Sequence, residues 1–352
     1  MAMTFSPFSH LGLSLILAAT APNDLAAQEA PPQQHLEITG SHELRLTYDF
    51  NIVWPRGGGY SAKLYLPIPP DTGTQHIEHF TSSLKGEIEI DPNGHHLLIA
   101  NLHHDRGDER HLHWTVQITG LFQTRQLVNG APPPSDPIFL PTLDEFLVST
   151  ESINWDTDAF RTWLDSSGLR RAANESPVHY GARVFAYLKA NGRYSYPPAT
   201  PWNAAATCRN LKTDCGGFSL VFTAACRANK IPARLLVGQW FKARKLPTGS
   251  VELTDGRQSH VIAEFFDPQI GWIPEDVSSI FLKTPGYPDL NFFGRDPGYF
   301  FTWHFDTDFH FDTPQKPDAY VQWIQNPSLW FSANASDVYD SISNHWTIEK
   351  LN

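Results

Sequence analysis

Three residues of the sequence have the side chains that acyl transfer through sulfur requires: Cys215, His260 and Asp276. A cysteine thiolate is a strong nucleophile, a histidine exchanges protons near neutral pH, and a carboxylate can fix the tautomer of the imidazole. In that order they match the nucleophile, base and orienting acid of a thiol-dependent catalytic triad. Each alone also fits an ordinary packing role, and a free cysteine is most often a small buried apolar residue. The chemistry therefore depends on the elements that position them.

The segment TDCGGFSLVFTAACRANKIPARLLVGQW, residues 213 to 240, places Cys215 at the start of a predicted apolar helix. The partial positive charge at a helix N-terminus favours a thiolate. Asp214 opposes that effect unless its carboxylate turns back and caps a backbone N–H of the first turn. The sequence thus predicts an activated cysteine at a helix N-terminus, provided that the cap forms.

The later segment SHVIAEFFDPQIGWIPEDVS, residues 259 to 278, predicts a β-hairpin. If the turn centres on the proline after Asp267, His260 faces Asp276, and directly paired side chains lie about 5 Å apart at Cβ. Asp267 is a turn residue, since it lies roughly 23 Å along the strand from His260. Glu275 points to the opposite face unless the register slips by one residue. Asp276 is the predicted orienting carboxylate.

These three residues, with the sequence around them, resemble the transglutaminase-like superfamily. The resemblance includes the IPAR strand entry at 231–234, the GWIPED strand at 271–276 and YSYPP before the cysteine, and it covers about residues 150 to 280. It implies a cysteine-proteinase-like domain with a papain-like Cys-His-Asp triad. It also implies attack on an amide carbonyl to form a thioester that an amine or water resolves. Transglutaminase, peptidase and amidase activities all stay open, and the substrate class is a peptide or protein.

The tetrahedral oxyanion of such a reaction needs hydrogen-bond donors fixed in advance. The backbone N–H of Cys215 is a natural first donor. Trp202 and Tyr196 are the candidates for a second, although both aromatic residues also fit packing roles. The alternative to an enzyme is a catalytically silent scaffold that binds a protein or a cell-wall polymer.

The patterns along the chain predict an α+β protein in which helices packed on an antiparallel sheet follow an N-terminal β-sandwich. Short alternating strands occupy residues 35 to 126, and the Pro-rich stretch at 127–140 reads as a linker. Residues 141 to 352 then form the catalytic domain, with its core at 150 to 280 and a C-terminal extension.

The N-terminus carries an apolar stretch too short to span a bilayer, followed by small residues, which predicts a signal peptide over residues 1 to 27. Export to the periplasm or the exterior follows, with no membrane span left after cleavage. Cysteines tend to form disulfides in such an oxidising compartment, and an odd number of three leaves one cysteine unpaired. A bridge between Cys208 and Cys226 that spares Cys215 is one arrangement, but the sequence does not establish it.

The net charge of −11 and the absence of a Lys/Arg-rich run exclude a nucleic-acid binder. The sequence assigns no cofactor and no metal, and it leaves the oligomeric state open. Two clusters keep a metal site as an alternative: the histidines between residues 95 and 113, and the alternating stretch WHFDTDFHFDTP at 303–314. The second predicts a half-buried strand with an acidic face, on which calcium or a cationic substrate is the alternative.

Overall fold

Strands form the first part of the chain because apolar and polar residues alternate there with the period of a β-strand. The computed structural model describes residues 33–54, 59–131, 143–245, 251–281, 292–332 and 342–351. The predicted signal peptide lies outside these residues, as do positions 132–140 of the predicted linker. The strands that precede the helices are β1 (Gln34–Val53), β2 (Tyr60–Pro67), β3 (Gln75–Ser82), β4 (Glu87–Ile90), β5 (His96–His104) and β6 (His111–Asn129).

The helices begin at capping residues that the sequence identifies. Thr157 and Ser176 each accept a hydrogen bond from a first-turn N–H, and Pro177 occupies the first turn of the second helix. None of the helices in the described ranges is long and apolar enough to span a bilayer. The helices are α1 (Asp158–Ser166), α2 (Pro177–Asn191), α3 (Ala204–Thr207) and α4 (Cys215–Ala228).

Further strands lie between and after these helices. They are β7 (Arg193–Tyr194), β8 (Lys212–Thr213), β9 (Ala233–Lys245), β10 (Val251–Asp267), β11 (Gly271–Glu275), β12 (Arg295–Asp296), β13 (Phe300–Phe305), β14 (Phe309–Phe311), β15 (Ala319–Val321), β16 (Ser328–Phe331) and β17 (Ile342–Lys350). The predicted α+β class is confirmed: antiparallel β-sheets come first, and helices packed on an antiparallel sheet follow.

The two N-terminal sheets also include strands from the far end of the chain. One sheet has the order β12-β6-β1-β17, with β3 also paired to β6, and the other has the order β16-β2-β5-β4. Strand β17 pairs with β1 from Leu44↔Lys350 to Ile52↔Ile342 and so covers an edge that would otherwise be open. Residues 35 to 126 therefore do not build these sheets alone. The domain boundaries given by the sequence stay predictions.

The sheet with the order β11-β10-β9-β13 is covered on both faces, which explains its nearly continuous apolar sequence. Along β9 and β10, Leu235 and Val261 pack against the helices. Their neighbours Leu236 and Ile262 pack against the N-terminal sheets, together with Phe301 of β13. This central sheet carries His260 and is the layer that connects the two halves of the fold.

The single strand predicted over residues 303–314 is wrong. The chain turns between β13 and β14, where Asp306 and Asp308 have positive φ angles of 50° and 74°. The turn brings the Asp306 carboxylate to the buried Arg227 side chain, whose charge needs a partner in the interior. The predicted acidic face is thus broken, and among the described residues no group of three His, Cys, Asp or Glu side chains has the geometry to hold a metal ion.

Candidate active site

Cys215 is the first residue of α4, and Asp214 is the N-cap of that helix. The Asp214 carboxylate accepts a hydrogen bond from the Gly217 backbone N–H at 3.2 Å, so the predicted cap forms. It also accepts the indole N–H of Trp202, which lies 2.9 and 3.0 Å from its two oxygens. Asp214 is thereby fixed by donors from two elements and orients the turn that presents the cysteine.

The two glycines after Cys215 allow neighbouring groups to approach the start of the helix closely. A Cβ atom at Gly216 would lie 2.5 Å from the Trp323 ring, and one at Gly217 would lie 1.9 Å from the Thr213 hydroxyl. Both distances are far below a van der Waals contact. The Cys-Gly-Gly sequence is therefore needed for α4 to begin at this place, between β8 and the C-terminal part of the chain.

The structure brings His260 and Asp276 together. His260 on β10 and Asp276 just after β11 are both buried, and Nε2 of the ring lies 2.7 Å from Oδ2 of the carboxylate. The Asp276 carboxylate also accepts from Ser278 Oγ at 2.7 Å and from the Ser279 backbone N–H at 3.0 Å. The Ser279 hydroxyl donates to it as well. The carboxylate is thus held in one orientation towards the ring.

The hairpin register differs from the predicted one. Ala263 pairs with Glu275 and Asp267 with Gly271, so the turn centres one residue later than expected and the pairing is displaced by two residues. An even displacement keeps each side chain on its face of the sheet. Asp276 therefore remains on the face of His260 and reaches it diagonally. Glu275 points the other way, where it is fully buried and accepts the Val277 N–H.

The second nitrogen of the His260 ring, Nδ1, is buried and has no hydrogen-bond partner in the described part of the chain. Burial opposes the charged form of His260, but the Asp276 carboxylate and Cys215 outweigh burial and raise the pKa of His260 to about 10. Burial would likewise raise the pKa of Asp276, yet His260 and the serine donors lower it. The pair therefore favours an imidazolium beside a carboxylate, with Nδ1 left for another partner.

The surroundings of His260 exclude water from most of the ring. Trp240 and Phe300 have ring centroids 5.9 and 6.2 Å from that of His260. From the C-terminal extension, Gln325 Nε2 donates to the His260 carbonyl at 2.9 Å. A site of low polarity strengthens every electrostatic interaction inside it.

The two aromatic residues predicted as oxyanion donors lie in different settings. The Trp202 indole N–H is already bound to Asp214, and Tyr196 is 76% exposed. The sequence did not suggest a third aromatic residue, Tyr194, which is half-buried. Tyr194 on β7 pairs with Thr213 on β8, and Thr213 lies two residues before Cys215. The Tyr194 hydroxyl has no hydrogen-bond partner among the described residues. Burial and the nearby Cys215 raise the pKa of Tyr194, which keeps its proton in place as a donor.

All three cysteines are free in this structure, so the Cys208–Cys226 bridge that the sequence left open is not formed. Cys208 and Cys226 are buried, whereas Cys215 is partly exposed. Burial raises the pKa of Cys208 to about 11 and that of Cys226 well above its usual value. Cys215 is thus the one cysteine that is partly exposed.

Comparison with known proteins assigns the central part of the chain. The family model described as "Transglutaminase-like superfamily" matches residues 169–277. These residues form a transglutaminase-like domain. The domain begins before α2, includes α4 and the His260 strand, and ends one residue after Asp276. No curated protein matches the chain.

Among solved structures, one has a similar fold over most of this chain, and others resemble it more weakly. A candidate cysteine protease from Cytophaga hutchinsonii is 14% identical, with a TM-score of 0.50 over 91% of this chain and 93% of that chain. The periplasmic domain of TgpA from Pseudomonas aeruginosa is 15% identical, with a TM-score of 0.31 over 67% of this chain and 90% of that chain. A structure named only as a TGase is 17% identical, with a TM-score of 0.26 over 52% of this chain and 48% of that chain.

The structure adds residues to the site that the sequence analysis missed. Ser278 and Ser279 follow Asp276 directly, and a serine two or three residues after an aspartate is a known local pattern for such hydrogen bonds. Gln325 and Trp323 come from the C-terminal extension, and no local pattern connects them with the transglutaminase-like domain.

Proposed function

We propose that the protein is an exported, thiol-dependent acyl hydrolase or acyltransferase that attacks amide bonds of peptides or proteins. Cys215 is the nucleophile, His260 the proton carrier and Asp276 the orienting acid. One observation carries this proposal: His260 is fixed by Asp276 through Nε2, while its buried Nδ1 has no partner and the partly exposed Cys215 is close enough to raise its pKa. The transglutaminase-like domain at residues 169–277 supports the same chemistry.

In the proposed reaction, Nδ1 of the His260 imidazolium already holds the proton of the Cys215 thiol, and the thiolate attacks the carbonyl carbon of an amide. A C–S bond forms, the C–N bond of the amide breaks, and the imidazolium gives its proton to the departing amine. Water or a second amine then attacks the thioester and releases the sulfur. Asp276 keeps the imidazole oriented and stabilises its charged form in both halves of the reaction.

Two donors are proposed for the oxyanion of the tetrahedral intermediate. The backbone N–H of Cys215 belongs to the first turn of α4 and therefore has no acceptor within the helix. The Tyr194 hydroxyl is the second, because the Trp202 N–H that the sequence suggested is bound to Asp214. Donors fixed before the reaction stabilise developing charge more than mobile water does.

An activity-based thiol probe tests the proposal, followed by a peptide-library screen for cleavage and for amine incorporation. We expect wild type to label at Cys215 and to turn over peptides, and Cys215→Ala to lose both. Cys208→Ala is the matched control, since Cys208 is buried and should not affect labelling. Slow labelling of Cys215 in folded wild type, with no turnover of any peptide, would instead support the silent scaffold. The ratio of cleavage to amine incorporation separates hydrolase from transferase.

A further inference from the structure

A cavity of about 460 Å³ lies away from the proposed catalytic residues, where the N-terminal sheets meet the central sheet. Its walls come from the loop after β2, the turn before β5, the segment around Phe146, and Arg234, Trp272 and Phe305. Cys215, His260 and Asp276 do not line it. The cavity has the size of a small-molecule site, for which volumes of about 300 to 1,000 Å³ are usual.

The floor of the cavity carries an unusual guanidinium group. The Arg234 side chain is only 8% exposed, and its Nε and Nη2 lie 3.1 and 2.9 Å from Glu264 Oε2. The carbon of the guanidinium lies 4.0 Å from the Trp272 ring centroid and 3.9 Å from that of Phe305. Two rings and one carboxylate thus cover every side of the group except Nη1.

Nη1 of Arg234 has no hydrogen-bond partner in the described part of the chain, and Arg234 lines the cavity. The nearby carboxylates are already engaged. Glu264 Oε1 accepts from Arg125, and Asp306 accepts from Arg227 and from the Leu235 N–H. Nη1 is not fully enclosed by the protein, so its charged N–H groups stay open to an acceptor that enters the cavity. The cavity is therefore the direction from which an acceptor would come.

Most of the other groups that face the cavity fit an acid with an apolar body. Asp306 also lines the cavity, but its carboxylate is already bound to Arg227 and to the Leu235 N–H. The rings of Phe146, Trp272 and Phe305 form an apolar wall, and aromatic ligands pack well edge to face against such rings. At the mouth, His96 is exposed and its ring has no hydrogen-bond partner among the described residues. Glu145 also stands at the mouth, where it is exposed to solvent and its charge is screened.

We propose that this cavity binds a small carboxylate with an apolar side chain, such as the free C-terminus of a short peptide. Nη1 of Arg234 donates to the carboxylate, and the three rings cover the side chain. The site is separate from the proposed function, because none of its residues takes part in the reaction at Cys215. Each proposal can therefore fail without the other.

Isothermal titration on the full chain carrying Cys215→Ala, which prevents turnover, tests this site with two matched probes. N-acetyl-phenylalanine carries the carboxylate, and N-acetyl-phenylalanine amide has the same body without the charge. We expect the acid to bind at least about tenfold more tightly, as a hydrogen bond between charged groups requires. Equal binding of the two probes, or no binding of the acid at millimolar concentration, would overturn the proposal.

A variant at the mouth of the cavity tests whether the acid binds inside it. His96→Trp narrows the cavity without removing a hydrogen bond of the described residues, and His111→Trp is the matched control, since His111 is exposed and outside the cavity. We expect the acid to lose affinity for the His96 variant and to keep it for the His111 variant. Full affinity of a folded His96 variant would contradict the assignment of the cavity. If the His96 variant does not fold, the difference in affinity between the acid and the amide on the Cys215→Ala chain still tests the proposal.

Discussion

At the scale of single residues, His260 has two ring nitrogens with different neighbours. Nε2 lies 2.7 Å from the Asp276 carboxylate, whereas Nδ1 is buried without a partner among the described residues. The charged form of the ring therefore depends on Asp276 more than on any hydrogen bond at Nδ1. This asymmetry gives a test in which protonation and geometry can be separated.

Asp276→Asn should move the alkaline limit of activity to lower pH. In the native site the pKa of His260 is raised to about 10, so the imidazolium persists below that pH and is lost above it. Removing the carboxylate removes that stabilisation and lowers the pKa towards its usual value of 6.5. We expect kcat to fall by at least about 100-fold near neutral pH, and the alkaline limb of the pH–rate profile to shift down.

Glu275→Gln is the matched control for this prediction. Burial raises the pKa of Glu275 well above its usual value and so favours the neutral carboxyl group, which glutamine nearly matches in shape and charge. It lies on the other face of the hairpin. An unchanged alkaline limb in Asp276→Asn, or an equal shift in the Glu275 variant, would contradict the assignment.

Tyr194→Phe should lower kcat by about 100-fold and leave KM nearly unchanged, as expected when one oxyanion donor is lost. The substitution removes a hydroxyl with no partner among the described residues, so it should not destabilise the fold. Tyr196→Phe is the control, because Tyr196 is 76% exposed and should tolerate the change. Steady-state kinetics on both variants make the comparison. A larger loss in the Tyr196 variant would return the donor role to the residue that the sequence suggested.

At the scale of elements, Gly217→Ala tests the contact between α4 and β8. Alanine normally stabilises a helix by about 1 kcal/mol relative to glycine. Here its Cβ would lie 1.9 Å from the Thr213 hydroxyl, so overpacking should dominate and cost about 1 to 3 kcal/mol. Urea denaturation gives the change in the free energy of unfolding. Adding Thr213→Ala removes the hydroxyl and should recover part of the loss, and a gain in stability from Gly217→Ala alone would show that the helix start can relax.

The elements also show how far the sequence predicts this site. The starts of α1 and α2 coincide with local signals in the sequence, namely their N-caps and a first-turn proline. The hairpin register was wrong by two residues, yet His260 and Asp276 still meet, because an even shift preserves the face of each side chain. The break between β13 and β14 could not be predicted, because its cause is Arg227, which is distant in sequence. The same holds for Gln325 at the His260 carbonyl.

At the scale of the whole molecule, the last strand joins the first sheet. Trp346 of β17 is 2% exposed and packs among the rings of Tyr48, Phe301 and Trp303. Trp346→Ala should lower the free energy of unfolding by about 3 to 5 kcal/mol. Urea denaturation with fluorescence and circular dichroism measures this loss. Trp330→Ala is the control, since Trp330 is only partly buried and its loss should lower the free energy of unfolding by less. Equal losses in the two variants would mean that β17 stabilises the fold no more than a surface strand does.

The central sheet, apolar on both faces, limits what can be done with this protein as a tool. Residues 150 to 280, produced alone, would leave Leu236 and Ile262 facing water where the N-terminal sheets now cover them. Such a fragment would stick to itself and precipitate before its chemistry could be assayed. A shortened version of this protein would need another structural element to cover that apolar face. The same holds for a scaffold onto which its reactive groups are grafted together with the central sheet.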